Sequence, residues 1–276
     1  MTRILVTNDD GIFSEGIKAL AAALQQVAEV VVVAPDREQS ASGHALTLSR
    51  PLRMRKLQEN WYSVDGTPTD CVNLGVLSVL KDRLPDFVCS GINFGLNLGD
   101  DVTYSGTVSA TFEGTLLGIP SLAFSQEIAE GFSFEPAALL ARRIVEMLIA
   151  EPELPADLLL NVNVPAGAIG GIEFTRLGRR VYKQSVIENF DPRGRKYYWI
   201  AGTPKWQSDE GTDHQAVASG RVSVTPLHLD LTYYHGLKTF GVLSGKLASL
   251  DLSPPVAAVA AVAAAPAATP PKPAGE

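Results

Sequence analysis

Four consecutive valines, Val30–Val33, constrain the fold of this chain most sharply, because with Ala34 they leave no polar face to turn toward water. A strand of that kind is buried on both sides, as in a parallel sheet covered by helices. Strand-like runs at 2–7, 29–34, 86–90 and 120–125 alternate with helix-like stretches at about 15–26, 68–80 and 106–118. That alternation is the signature of an α/β architecture, a mostly parallel sheet with helices on both faces. A helix over 134–150 leads into Leu158–Val164, a further core strand, and short alternating pieces between Leu46 and Val64 predict antiparallel additions.

With 276 residues, 46% of them apolar, the chain can bury the core of one α/β domain. We expect that domain to cover 1–252, with the active site in 1–130. Residues 131–252 then form a C-terminal part that contains an aromatic hairpin arm over 181–201, turning at Asp191-Pro192-Arg193-Gly194. The five aromatic side chains of the arm either pack on their own domain or reach over a partner subunit, since exposed aromatic patches are rarely left bare. The segment 253–276 collapses to Ala, Pro and Val and reads as a disordered tail.

The net charge of −7 gives no basic stripe and argues against polymeric nucleic acid as a partner. Cys71 and Cys89 stand in apolar contexts and read as buried thiols in a reducing compartment. Met1-Thr2-Arg3 runs straight into a strand, and no apolar run reaches the ~20 residues of a membrane span. The expectation is a cytoplasmic protein with no membrane partner.

Asn8-Asp9-Asp10-Gly11 falls where the first strand ends and a helical pattern begins, at the strand terminus where open α/β sheets bind ligands. Gly11 permits a bend that brings two adjacent carboxylates toward one point, and such a pair needs a cation. The plainer reading is a turn that caps the next helix. Three further polar loops lie along the same edge: Asp36 to His44, Ser90 to Gly99, and Tyr104-Ser105-Gly106-Thr107. Asp9, Asp10, a serine hydroxyl and an asparagine oxygen can share one ion there. An all-oxygen set suits Mg²⁺ or Mn²⁺ and not zinc. Turn chemistry is the alternative for Asn93 and Asn97, and helix capping for Ser105 and Thr107. The helix at 106–118 would also turn free N–H groups and its positive dipole end outward, where a phosphate docks. Metal beside phosphate implies phosphoryl chemistry. His44 is either a general acid or substrate contact, or a structural hydrogen-bonder. His214, His228 and His235 have no metal-site spacing.

These residues resemble the stationary-phase survival protein SurE family of metal-dependent nucleotidases. The likeness is carried by Ile4-Leu5-Val6-Thr7-Asn8-Asp9-Asp10-Gly11, Val33-Ala34-Pro35-Asp36 with Gln39 to His44, Gly66-Thr67-Pro68-Thr69-Asp70-Cys71-Val72, Ser90-Gly91-Ile92-Asn93 with Gly95 and Asn97, and Tyr104-Ser105-Gly106-Thr107-Val108. It weakens through Asn161 to Pro165, Lys196 to Trp199 and Val222 to Leu227 and stops near residue 252. The resemblance implies a three-layer, Rossmann-like sheet with a C-terminal β-hairpin arm. It implies removal of phosphate from nucleoside 5′- and 3′-monophosphates with one divalent ion per subunit, and in some members action on short polyphosphate. It implies Asp9, Asp10, Ser40 and Asn93 as metal ligands, with Asp9 and Asp10 catalytic, and Asn97, Ser105, Gly106 and Thr107 as the phosphate pocket. It also implies a homodimer or homotetramer with exchanged C-terminal segments, which favours the intersubunit reading of the arm. Phe94 departs from a family variant that carries a basic residue there, which removes one phosphate-facing charge.

In such a site water activated by the metal attacks phosphorus in line. Direct attack by an aspartate, as in phosphatases with Asp-x-Asp, does not suit this spacing, because Gly11 and Ile12 stand two residues after Asp9 and Asp10. The rival class is a non-catalytic nucleotide-binding regulator. Its Gly-x-Gly-x-x-Gly fingerprint is absent after the first strand.

Overall fold

The computed structural model describes residues 1–155, 157–182, 186–200, 204–207 and 209–250. The expected tail at 253–276 therefore lies outside the described residues. Two units are present, Met1–Leu229 and Asp230–Glu276. In the second unit α6 (Tyr234–Phe240) and α7 (Ser244–Ala248) keep Leu237, Phe240 and Leu247 exposed. Composition counts such residues as apolar but does not say whether they are covered.

The first unit opens with β1 (Arg3–Thr7), α1 (Glu15–Leu24), β2 (Glu29–Pro35), β3 (Met54–Gln58), β4 (Trp61–Val64) and α2 (Pro68–Leu74). It continues through β5 (Phe87–Phe94), α3 (Gly106–Leu116), β6 (Ser121–Gln126), α4 (Glu135–Ala150), β7 (Leu159–Val164) and β8 (Ile172–Phe174). It ends with β9 (Arg180–Tyr182), β10 (Val186–Phe190), β11 (Lys196–Ile200), β12 (Pro204–Trp206), α5 (Asp213–Ala218) and β13 (Val222–Pro226). Nine strands form one sheet in the order β3-β4-β2-β1-β5-β6-β7-β13-β8. The run from β4 to β7 is parallel, while β3 and β13 join antiparallel.

The valine run explains the three layers. Val30 and Val32 enter one core with Ile17, Leu20 and Leu24 of α1 and Ala141 and Val145 of α4. Val31 and Val33 enter the other with Cys71 and Val72 of α2 and Ala110 of α3. Alternate side chains of one strand thus bury themselves against opposite helix layers. Both cysteines are free and buried, and burial pushes their thiols up.

Thr67 caps α2 and exchanges hydrogen bonds with Asp70 in a capping box, with Pro68 at the first turn. The helix expected over 68–80 is not uniform: α2 stops at Leu74 and Gly75–Val79 continues as a π-helix. The hairpin falls inside the predicted arm, with β10 and β11 paired from Val186↔Ile200 to Phe190↔Lys196. Phe190, Tyr198 and Trp199 are exposed. Among the described residues no helix is long and apolar enough to cross a membrane.

Candidate active site

The chain runs from β1 outward to β2 and β4, then returns to β5 on the other side of β1. This reversal leaves a crevice at the carboxyl ends of β1 and β5, the place where such sheets hold ligands. Asn8, Asp9 and Asp10 follow β1, and Asn93 lies near the end of β5. Asn8 shapes the turn, since its Nδ2 donates to the Gly11 carbonyl at 3.1 Å and to Ser14 Oγ at 2.8 Å. Gly11 has φ +93°, and a Cβ there would lie 3.0 Å from the Arg37 backbone. The two loops can therefore touch only through glycine. The Gln39 N–H donates to the Asp9 carbonyl at 2.7 Å and brings Ser40 to the site.

A cavity of about 340 Å³ is lined by Asp9, Asp10, Ser40, Asn93, Asn97 and Ser105, and by Glu38, Phe94 and Tyr104. Six of the eight expected residues thus share one cavity. Gly106 and Thr107 stand behind Asp9 and do not line it. Thr107 donates its hydroxyl to Asp9 Oδ1 and has Asn93 Oδ1 at 3.3 Å. A Cβ on Gly106 would lie 2.7 Å from Asp9 Cβ and 2.9 Å from Ser42 Oγ. Ser105 caps α3 by accepting from the Val108 N–H, and its own hydroxyl proton remains available to the cavity.

Burial pushes the Asp9 carboxyl up, against the lowering effect of Thr107 and the backbone N–H groups of Thr107 and Gly106. Asp10 is pushed up to about 6 by burial and by the charge of Asp9. Among the described residues neither carboxylate has a Lys or Arg within ion-pair reach. Among the described residues the buried Ser42 hydroxyl next to Asp9 also lacks a hydrogen-bond partner. Two desolvated carboxylates without a counter-ion, among oxygen donors only, fit a hard divalent cation.

Some contributors were not anticipated. Asn97 is held by β7: Asn163 Oδ1 accepts from the Asn97 N–H at 2.8 Å, and Asn161 and Asn163 donate to its carbonyl at 2.8 and 3.0 Å. The signal was present, since Asn161 and Asn163 interrupt an apolar strand two residues apart and so share a face. Glu38 accepts from the Ser40 hydroxyl. His44 bonds Glu113 Oε2 at 2.8 Å, and Asn73 donates to the other oxygen of the same carboxylate. That contact ties the Ser40–His44 loop to α3.

A protein-family model described as survival protein SurE matches residues 4–184. The 5′-nucleotidase SurE of Geobacter metallireducens is 53% identical over 242 residues, 86% of this chain and 95% of that protein. The protein of the same description from Aquifex aeolicus is 51% identical over 248 residues, covering 88% and 98%. The crystal structure of the SurE protein from Aquifex aeolicus matches with a TM-score of 0.79 at 50% identity, over 87% of this chain and 99% of that one.

Proposed function

The chain belongs to the survival protein SurE family, and on that premise we propose that it is a divalent-metal-dependent phosphomonoesterase that hydrolyses nucleoside 5′- and 3′-monophosphates. The carrying observation is the adjacent carboxylates of buried Asp9 and half-buried Asp10 at the sheet's switch point, with no Lys or Arg paired to either among the described residues. The relatives named as 5′-nucleotidases supply the substrate class.

In this reading Asp9, Asp10, Ser40 and Asn93 hold one Mg²⁺ or Mn²⁺ per subunit. The chemistry such an ion would supply there is neutralisation of charge on the phosphate oxygens and a lowered pKa for a water beside it. Thr107 fixes the Asp9 carboxylate by its hydroxyl hydrogen bond. Asp10, the more exposed of the two, orients the attacking water and accepts its proton. Ser105 donates its hydroxyl to a phosphate oxygen, Asn97 offers its side chain beside it, and the first turn of α3 at Gly106 and Thr107 contributes its positive dipole end. The ester P–O bond breaks as the water oxygen bonds to phosphorus, the leaving nucleoside oxygen takes a proton from solvent water, and Asp10 returns its proton to solvent.

Short polyphosphate is a side substrate, and the reaction runs in the cytoplasm, where free thiols such as Cys71 and Cys89 persist. The enzyme works as a homodimer or homotetramer joined through the β10–β11 arm, whose exposed aromatic side chains need a partner surface. Phosphate release from a panel of 5′- and 3′-nucleotides and short polyphosphate, each with Mg²⁺, Mn²⁺ or EDTA, tests the reading. Release that persists undiminished in EDTA overturns the metal assignment, and no release from any nucleotide overturns the substrate class.

A further inference from the structure

On the far side of the loop that carries Glu38 and Ser40, a second cavity of about 430 Å³ is lined by Asp36, Arg37, Arg53, Arg55, Ser63 and Asp65. The registers explain why these six residues meet. Ala34 pairs with Ser63 on β4, and Ser63 pairs with Arg55 on β3, so the side chains in one row across three strands face the same way. Ser63 makes the floor, and Arg55 of β3 with Arg53 just before it makes a wall. Leu52 and Met54, which alternate with Arg53 and Arg55, turn to the opposite core instead. The cavity lies at the carboxyl ends of the parallel strands β2 and β4, where Asp36 and Asp65 follow directly.

The charges there are not balanced internally. Asp65 is taken up by Arg50, whose Nη1 is 3.2 Å from Oδ2, and Asp36 lies 3.6 Å from Arg37. Among the described residues the guanidinium groups of Arg53 and Arg55 make no hydrogen bond or ion pair. In a chain of net charge −7, two guanidinium forks free of hydrogen bonds, of which Arg53 shares the charge of Asp65 with Arg50, face one cavity and form a local cationic site. Ser63 adds a second sign. The residue is 6% exposed, yet among the described residues its hydroxyl has no hydrogen-bond partner and faces the cavity.

We propose that this cavity binds a phosphate-type dianion on a small molecule, held by Arg53 and Arg55 with Ser63 as a neutral donor, at a site separate from the Asp9–Asp10 crevice. Guanidinium forks match phosphate oxygens two at a time. The volume also leaves room for the group that bears the phosphate. The loop lines the two cavities through different residues, Asp36 and Arg37 here and Glu38, Ser40 and Ala41 at the crevice, so an occupant would touch the loop that carries Ser40. The proposal rests on the charge and geometry of this cavity and not on the reaction proposed above.

Calorimetric titration of the full chain in EDTA with inorganic phosphate and with glycerol phosphate, at fixed ionic strength, tests it without reading hydrolysis. One site is expected, its Kd raised at least tenfold in the R53Q/R55Q double variant and several-fold in S63A, and unchanged in D9N. Single R55Q, on an exposed edge strand, keeps the test decisive where the double variant unfolds. Binding that survives in R55Q and R53Q/R55Q, binding that vanishes in D9N, or no heat at millimolar phosphate overturns the proposal.

Discussion

At the scale of single residues, Asp9 and Asp10 differ in what they ask of the fold. Replacing Asp9 by Asn should lower turnover on the order of a hundredfold or more, because a charged ligand is lost where the reaction develops charge. Far-UV circular dichroism should not change. Asp10 gives a second, opposite readout. Its folded carboxyl, at about 6, lies above the ordinary value of 3.8, so the folded state holds the proton more tightly than the unfolded chain. The contribution of Asp10 to the stability of the metal-free protein then falls as pH rises from about 4 to 6 and stays level above. Asp10→Asn should remove that fall and raise stability at pH 7 by about 1–2 kcal/mol, after allowance for solvent screening. Thermal unfolding in EDTA between pH 4 and 8 checks this. The same variant should bind Mn²⁺ more weakly. The adjacency of the two aspartates in Asn8-Asp9-Asp10-Gly11 was readable because a glycine marked the bend. The support that Asn163 gives Asn97 was not, because a strand reading assigns faces but not the partner across the sheet. Asn163→Leu should leave the backbone N–H of Asn97 without its acceptor, at about 1–3 kcal/mol. If Asn97 acts on phosphate, kcat should fall more than KM rises.

At the scale of elements, the alternation of strands and helices was legible wherever a run was long and strongly patterned, as in β2, α1 and α4. Three-residue strands such as β8 and β12 are too short to show a period of two and escaped notice. The π-helix at Gly75–Val79 escaped for a different reason: its side chains keep a helical pattern while its hydrogen bonds shift. α3 yields the sharpest prediction. Alanine favours a helix over glycine by about 1 kcal/mol, but at position 106 its Cβ would meet Asp9 Cβ at 2.7 Å. The clash should win, so that Gly106→Ala lowers both metal affinity and turnover at least tenfold. Ser105→Ala removes the cap, at about 1 kcal/mol of stability. It should cost turnover while Mn²⁺ affinity, measured by calorimetry, stays nearly constant.

At the scale of the whole molecule, the sequence indicates a parallel sheet but not the order of its strands. That order follows from crossovers that no local pattern encodes. The switch between β1 and β5 had to be seen before four separate polar loops became one site. The arm belongs to this scale too. Replacing Ile187–Trp199 with a Gly-Ser turn should reduce the mass seen by light scattering toward the monomer, and an unchanged mass would return those aromatic side chains to their own subunit. One further property follows from the position of β3 at the margin of the sheet. A terminal strand offers unpaired N–H and C=O groups to any other strand that drifts by, the route by which native proteins polymerise into fibres. Here that margin carries Arg55 and Lys56 and an irregular register between Lys56 and Gln58. Like charges on approaching copies repel, and the broken register spoils a flat template, so the basic side chains of β3 also guard the protein against self-association through its own edge.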